Sequence, residues 1–149
     1  MATLVRTRLT RLSPAHLDEL FRHSPAGPIP AGDTRGTALI APGTRLAAPL
    51  ARLVRLIAWQ GKVFDPATGT LRNKISPFGI RAIVAKVYAD RSWLDGQPCI
   101  VLDYSRTSLL AHWVRDEIRE VAPGRYLGLV FLGRVKLIHF ALAWPKRAR

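Results

Sequence analysis

His112-Trp-Val-Arg-Asp-Glu-Ile-Arg-Glu-Val-Ala-Pro-Gly-Arg-Tyr-Leu-Gly-Leu-Val-Phe-Leu-Gly133 is the stretch whose reading decides the fold. Two strand-like runs flank an Ala122-Pro123-Gly124 turn, and alternate side chains of a strand share a face. Val114, Asp116, Ile118 and Glu120 therefore point one way, and Arg115, Glu117 and Arg119 the other. The second set, alternating in sign, reads as a solvated face. The first places two carboxylates beside two aliphatics, and acids on an interior face need partners or shifted pKa values.

Working outward, the same grammar recurs. Lys62-Val-Phe-Asp65 and Thr70 to Ile75 flank a Pro66-Ala-Thr-Gly69 turn. Ile80 to Ala89, Cys99 to Tyr104 and Lys136 to Trp144 read as further strands, with an Asp95-Gly96 turn signal before the second. Arg35 to Ala41 is an earlier strand, and Ser105 to Trp113 reads as a loop or one helical turn. Strands linked in order by short turns favour an antiparallel meander, and a sheet of this size tends to close on itself and remove its edges.

The N-terminal third is different. Ser13 caps a helix, Pro14 fits its first position, acids are expected in the first turn, and the helix ends near His23. Pro25 to Asp33 holds three prolines and reads as a rigid loop. Residues 45–59 carry Leu46, Leu50, Leu53, Val54 and Ile57 at helical spacing, with Arg45, Arg52 and Arg55 towards the other side. The expected fold is mainly β: an antiparallel lipocalin-like barrel or strongly curved sheet with two N-terminal helices. One domain spans 1–149, with a short helix and Pro/Gly loop over 1–33, strands and a basic helix over 34–144, and a basic tail over 145–149.

The order Trp59-Gln-Gly-Lys-Val-Phe-Asp65, Leu94-Asp-Gly96, Asp103-Tyr104 and Arg115 to Gly128 resembles small bacterial lipocalin-like barrel proteins. The resemblance covers roughly residues 55–143. It implies an up-and-down barrel around an apolar ligand cavity and carries over no catalytic residue. Where lipocalins have Gly-x-Trp, this chain reads Trp59-x-Gly61.

Composition narrows the function classes. The net charge is +13 and the chain holds a single cysteine, Cys99. That excludes an intramolecular disulfide framework and a cysteine-rich zinc site, and fits a reduced, cytoplasmic setting. The N-terminus lacks the apolar centre and cleavage site of a secretory signal. His16, His23, His112 and His139 are scattered, so no metal site is expected, and Ser105, Ser108 and Cys99 lack nucleophile motifs. No phosphate-binding glycine loop is present, and no cofactor is implied.

On these grounds the expected function is binding of an apolar or amphipathic small molecule or lipid, anionic ones included, in the barrel. Asn73, Arg81, Asp103, Tyr104, Asp116, Tyr126 and His139 are the candidate ligand-binding residues. The alternative is a cofactor-independent isomerase or cyclase in which Asp116 or Asp103 transfers a proton with Tyr104. A charge-driven nucleic-acid-binding module is the second alternative, against which the scarcity of interleaved aromatics speaks. The basic helix at 45–59 offers a face to an anionic membrane surface, which would make the protein peripheral to it.

Overall fold

In the computed structural model, which describes residues 8–40, 59–75, 80–107 and 112–144, nine strands form a single antiparallel sheet. They are β1 (Gly32–Asp33), β2 (Arg35–Leu39), β3 (Trp59–Asp65), β4 (Thr70–Ile75), β5 (Ile80–Arg91), β6 (Pro98–Asp103), β7 (Val114–Ala122), β8 (Arg125–Leu132) and β9 (Val135–Ala143). From β3 to β9 each strand pairs with the next, as the sequential turns predict. The Pro/Gly turn inside the opening stretch is there, with Gly124 at φ 68°.

Closure comes from a segment that spans two strands. Gly32 and Asp33 pair with Phe64 and Val63 of β3, whereas Arg35 to Leu39 pair with Ala143 to His139 of β9. Residues 32–39 thus join the first and last strands of the meander, and the sheet becomes a nearly closed barrel. Thr34 sits where the segment changes partner. Its N–H and hydroxyl both donate to Lys62 O, at 3.0 and 2.7 Å, and its hydroxyl accepts from Lys62 N at 3.1 Å. The approach is so close that a Cβ on Gly61, at φ 142°, would lie 2.3 Å from Thr34 O. Only glycine fits there.

The barrel has an apolar interior and an apolar outer layer. Inside lie Phe64, Leu71, Ala85, Val87, Ile100, Leu102, Ile118, Tyr126, Phe140 and Leu142. Gly128 pairs with Phe140, whose ring occupies the space a Cβ on Gly128 would need, 2.1 Å away. The end of the barrel bearing the β7–β8 turn is stoppered by the proline-rich loop: Tyr126 OH donates to Pro28 O at 2.6 Å, Trp144 Nε1 to Ala31 O at 2.6 Å, and Glu120 N to Pro25 O at 3.0 Å.

Outside, α1 (Pro14–Arg22) lays Leu17 and Phe21 on Cys99, Val101, Leu127, Leu129, Phe131 and Ala141. Ser13 caps it, as expected, by accepting from His16 N at 3.2 Å. Its acids, however, fall beyond the first turn, which contains none. Asp18 instead faces the barrel, where it accepts from Lys136 and from His139 Nε2, the latter at 2.7 Å. α1 is the N-terminal helix fully within the described residues. The second expected helix, 45–59, lies outside them except for its last position, where Trp59 opens β3 rather than ending a helix.

Two outcomes follow from this packing. Gly128→Ala should lower stability by about 1–3 kcal/mol through overpacking, and Phe140→Leu in the same chain should restore part of it, as read by urea unfolding. Acid should loosen α1. Burial holds His139 neutral below its usual 6.5, despite Asp18. Burial would raise Asp18 above 3.8, but the bonds from Lys136 and His139 outweigh it and hold it below. Both shifts make the unfolded chain take up more protons, so stability falls as pH drops below about 6.5, and further below 3.8. His139→Gln should flatten the upper part of that decline.

Candidate functional site

The candidate site begins with alternation. On β3, Lys62 shares the inward face with Phe64; on β4, Asn73 shares it with Leu71; on β7, Asp116 shares it with Ile118. Tyr104 follows β6 on the face of Ile100 and Leu102. Four polar side chains therefore converge inside an apolar barrel, and each is at most 6% exposed.

Their geometry is tight. Lys62 Nζ donates to Asn73 Oδ1 at 2.9 Å, Tyr104 OH at 2.7 Å and Asp116 Oδ2 at 3.0 Å. The ammonium also lies 5.3 Å from the centre of the Phe140 ring. Tyr104 OH is 3.3 Å from Asp116 Oδ2. Asn73 Nδ2 donates to Tyr104 OH at 2.9 Å and to Ile83 O at 2.8 Å.

Ile83 is itself unusual. It is the extra residue where the β4–β5 register slips between Arg72 and Asn73, and its φ is 57°. A β-branched residue in that region is strained, and it persists only where its surroundings hold it. The bulge aims the Ile83 carbonyl at the Asn73 amide, so backbone strain is used to orient a site side chain.

Electrostatically the cluster is an ion pair in a dry setting. Burial alone would lower Lys62, but the Asp116 carboxylate, with Tyr104, reverses this and keeps the ammonium protonated above its usual 10.5. Burial raises Asp116 above the usual carboxylate value, and Lys62 only partly offsets it. Burial pushes the Tyr104 hydroxyl up to about 12, so it stays a neutral donor. One atom is left over: Asp116 Oδ1 is buried and has no hydrogen-bond partner among the described residues.

Of the residues named from sequence, Asp116, Asn73 and Tyr104 meet here. Arg81 lies on β5, and its side chain is outside the described residues. Asp103 does not join them. It pairs across the ladder with Arg115, on the outer face, and accepts from Tyr88 OH at 2.9 Å and Ser105 N at 2.9 Å. Tyr126 is interior but at the opposite end, under the proline loop. His139 is on the outer face against α1. His112 is exposed and stacks on Trp113, with ring centres 4.3 Å apart. Lys62, the centre of the cluster, was not singled out from sequence. Its signal was its alternation with Phe64.

The outer face of β7 corrects a further expectation. Glu117 and Arg119 are not solvated: they are 0% and 1% exposed. Arg119 spends all five of its N–H donors on Asp95, Phe21 O, Gln97 O and Pro98 O, at 2.7–3.1 Å, and its guanidinium lies 4.4 Å from the Phe21 ring centre. Glu117 accepts from Ser92 OH at 2.6 Å, Trp93 N at 2.8 Å and Arg115 at 3.3 Å. These groups bind the 92–97 turn and α1 to the sheet. Cys99, buried beneath them, has its thiol pushed up to about 12 by burial, with Glu117 adding to it, which leaves it unreactive.

Among the described residues no group of three or more His, Cys, Asp or Glu side chains is placed to hold a metal ion. No family model and no curated protein sequence matches the chain. Among solved structures, a crystal structure of a protein from Thermomonospora curvata matches with a TM-score of 0.72, at 17% identity, over 97% of this chain and 95% of that one. At that identity the likeness is one of fold. It supports the nearly closed antiparallel barrel and does not show the lipocalin-like family.

The cluster makes a stability prediction. Lys62→Met leaves Asp116 buried and uncompensated and should cost about 3–5 kcal/mol, whereas Lys62→Met with Asp116→Leu should fold nearly as well as the native chain. The deficit of the single variant should deepen as pH rises. Its Asp116 has a folded pKa above the unfolded 3.8, so ionisation favours the unfolded chain. Urea unfolding at several pH values reads both effects.

Proposed function

We propose that the barrel binds a small, mainly apolar molecule, whose polar end is anchored by the Lys62–Asn73–Tyr104–Asp116 cluster. The observation that carries this reading is the buried, unpartnered Asp116 Oδ1 inside an apolar wall. Ligand sites of this kind combine an apolar lining with few oriented polar groups. Barrels of this strand number are filled by side chains or hold one small ligand.

The cluster also favours one kind of polar group in the ligand. Lysine has three N–H donors, and those of Lys62 have Asn73, Tyr104 and Asp116 as acceptors. What is lacking is a donor for Asp116 Oδ1. A hydroxyl suits that position better than a carboxylate, which would add a second negative charge beside Asp116. The reading therefore favours neutral apolar alcohols over the anionic ligands that composition alone suggests.

A second reading, a cofactor-independent isomerase or cyclase, draws on the raised pKa of Asp116 beside the neutral Tyr104 hydroxyl. Such a carboxyl is suited to taking and returning a proton. In this reading Asp116 and Tyr104 act, and Asp103 has no part.

Thermal unfolding with a long-chain alcohol and its matched carboxylate tests the first reading. The alcohol should raise the midpoint, by the equivalent of about 2.7 kcal/mol at a hundredfold excess over Kd. The carboxylate should not, and the Lys62→Met/Asp116→Leu chain should respond to neither. No shift with any alcohol, and no apolar adduct by native mass spectrometry, would end it. With a substrate in hand, an Asp116→Asn chain that binds but no longer turns over would select the second reading.

A further inference from the structure

The barrel's two ends differ in ways its interior does not require. The end bearing the β8–β9 turn exposes three large apolar side chains: Trp113 is 66% exposed, Val135 63% and Leu132 46%. They are neighbours. Val114 pairs with Leu132, Leu132 pairs with Val135, and Gly133 N donates to Trp113 O at 2.9 Å.

Charge is distributed to match. Arg134, in the turn between Leu132 and Val135, and Arg106, beyond the end of β6, are exposed at this end, the Arg134 guanidinium resting 4.1 Å from the Trp93 ring centre. Of the exposed carboxylates among the described residues, Asp65 and Asp90 are at the opposite end, Asp33, near it, is paired with Lys74, and Glu19 of α1 is paired with Arg22. Of the acids towards this end on the outer face, Asp103 is half-buried and held by Tyr88 and Ser105, and Asp18 of α1 is half-buried and paired with Lys136, which follows Val135. Among the described residues this end is therefore apolar at its tip and cationic around it.

We infer that this end seats on an anionic lipid bilayer surface. Trp113, Leu132 and Val135 enter the headgroup boundary, and Arg134 and Arg106 meet the phosphates. An indole is suited to that boundary, since its ring is apolar and its N–H finds a polar partner. Basic side chains flanking it gain from the negative potential of the leaflet. Nucleic acid has no use for exposed Leu132 and Val135, because a phosphate backbone rewards charge alone. A second copy would bring like charge against like in a chain of net charge +13. The inference does not depend on the interior binding anything.

Co-sedimentation of the full chain with vesicles tests it, using phosphatidylcholine alone and an equimolar mixture with phosphatidylglycerol. The protein should sediment with the mixed vesicles, stay in solution with phosphatidylcholine, and be released as ionic strength rises. Trp113→Ser and Arg134→Glu should each lower the partition coefficient about tenfold or more, with thermal midpoints and circular dichroism unchanged. Three results would overturn the inference: equal or absent binding to both vesicles, variants that bind as the native chain does, or a dimer in sedimentation velocity that Trp113→Ser dissolves while vesicles are ignored. Binding to an oligonucleotide that Arg134→Glu abolishes and Val135→Ser leaves intact, in a chain that ignores vesicles, would assign the surface to nucleic acid instead.

Discussion

One residue holds both the seam of the barrel and its polar centre. The backbone of Lys62 makes three hydrogen bonds with Thr34, two accepted by its carbonyl and one donated by its N–H, at the point where residues 32–39 pass from β3 to β9. Its side chain then enters the barrel and meets Asn73, Tyr104 and Asp116. A buried ammonium without these acceptors would cost several kcal/mol, so the inward position of Lys62 requires the other three. The outward backbone, in turn, requires Gly61 to let Thr34 approach. Seam and cluster are therefore a single constraint, and shifting β3 by one residue would break both.

Polar groups serve different ends on the two faces of β7. Asp116 faces inward and is left with an unfilled acceptor. Arg119 faces outward with every donor satisfied, which is the signature of a structural group. Both are buried charges on one strand. What separates these two is the accounting of their hydrogen bonds: Arg119 has no donor left, Asp116 keeps one acceptor, and beside them Arg115 Nε on the outer face is also buried without a partner among the described residues.

The strands were legible because alternation and Pro/Gly turns are local signals. β4 and β6 to β9 lie within a residue or two of where they read, and which residues share a face follows from them, though not which face is interior. The seam was not legible: Thr34 and Gly61 meet across 27 residues, and nothing in Gly32 to Leu39 announces two different partners. The burial of Arg119 and Glu117 was equally hidden. Alternating sign on a strand ordinarily means water, and here α1 and the 92–97 turn cover it, a tertiary outcome with no local trace. Lys62 was the recoverable omission, since a lysine alternating with a core phenylalanine is an inward-pointing charge. Asp103 and Asp116 show the limit of parity in the other direction. They look equivalent as acids in strands, yet one residue of offset puts Asp103 beside Arg115 and outside the barrel.

The seam also sets an order of events during synthesis. β3 to β9 are joined by successive turns, and hairpins of that kind form as soon as both strands exist. Residues 35–39, made early, must wait for β9, whose partners Ala143 to His139 are about a hundred residues later in the chain. Until then the last strand made, and the part of β3 that residues 32–33 do not cover, are bare sheet edges flanking an apolar face, the condition in which chains pair with one another instead of with themselves. The proline-rich loop waits too, because its anchors Tyr126 and Trp144 come late. A nascent chain stalled before β9 is thus the form most exposed to aggregation, and the cell's means of shielding it would act on that interval and not on the finished barrel.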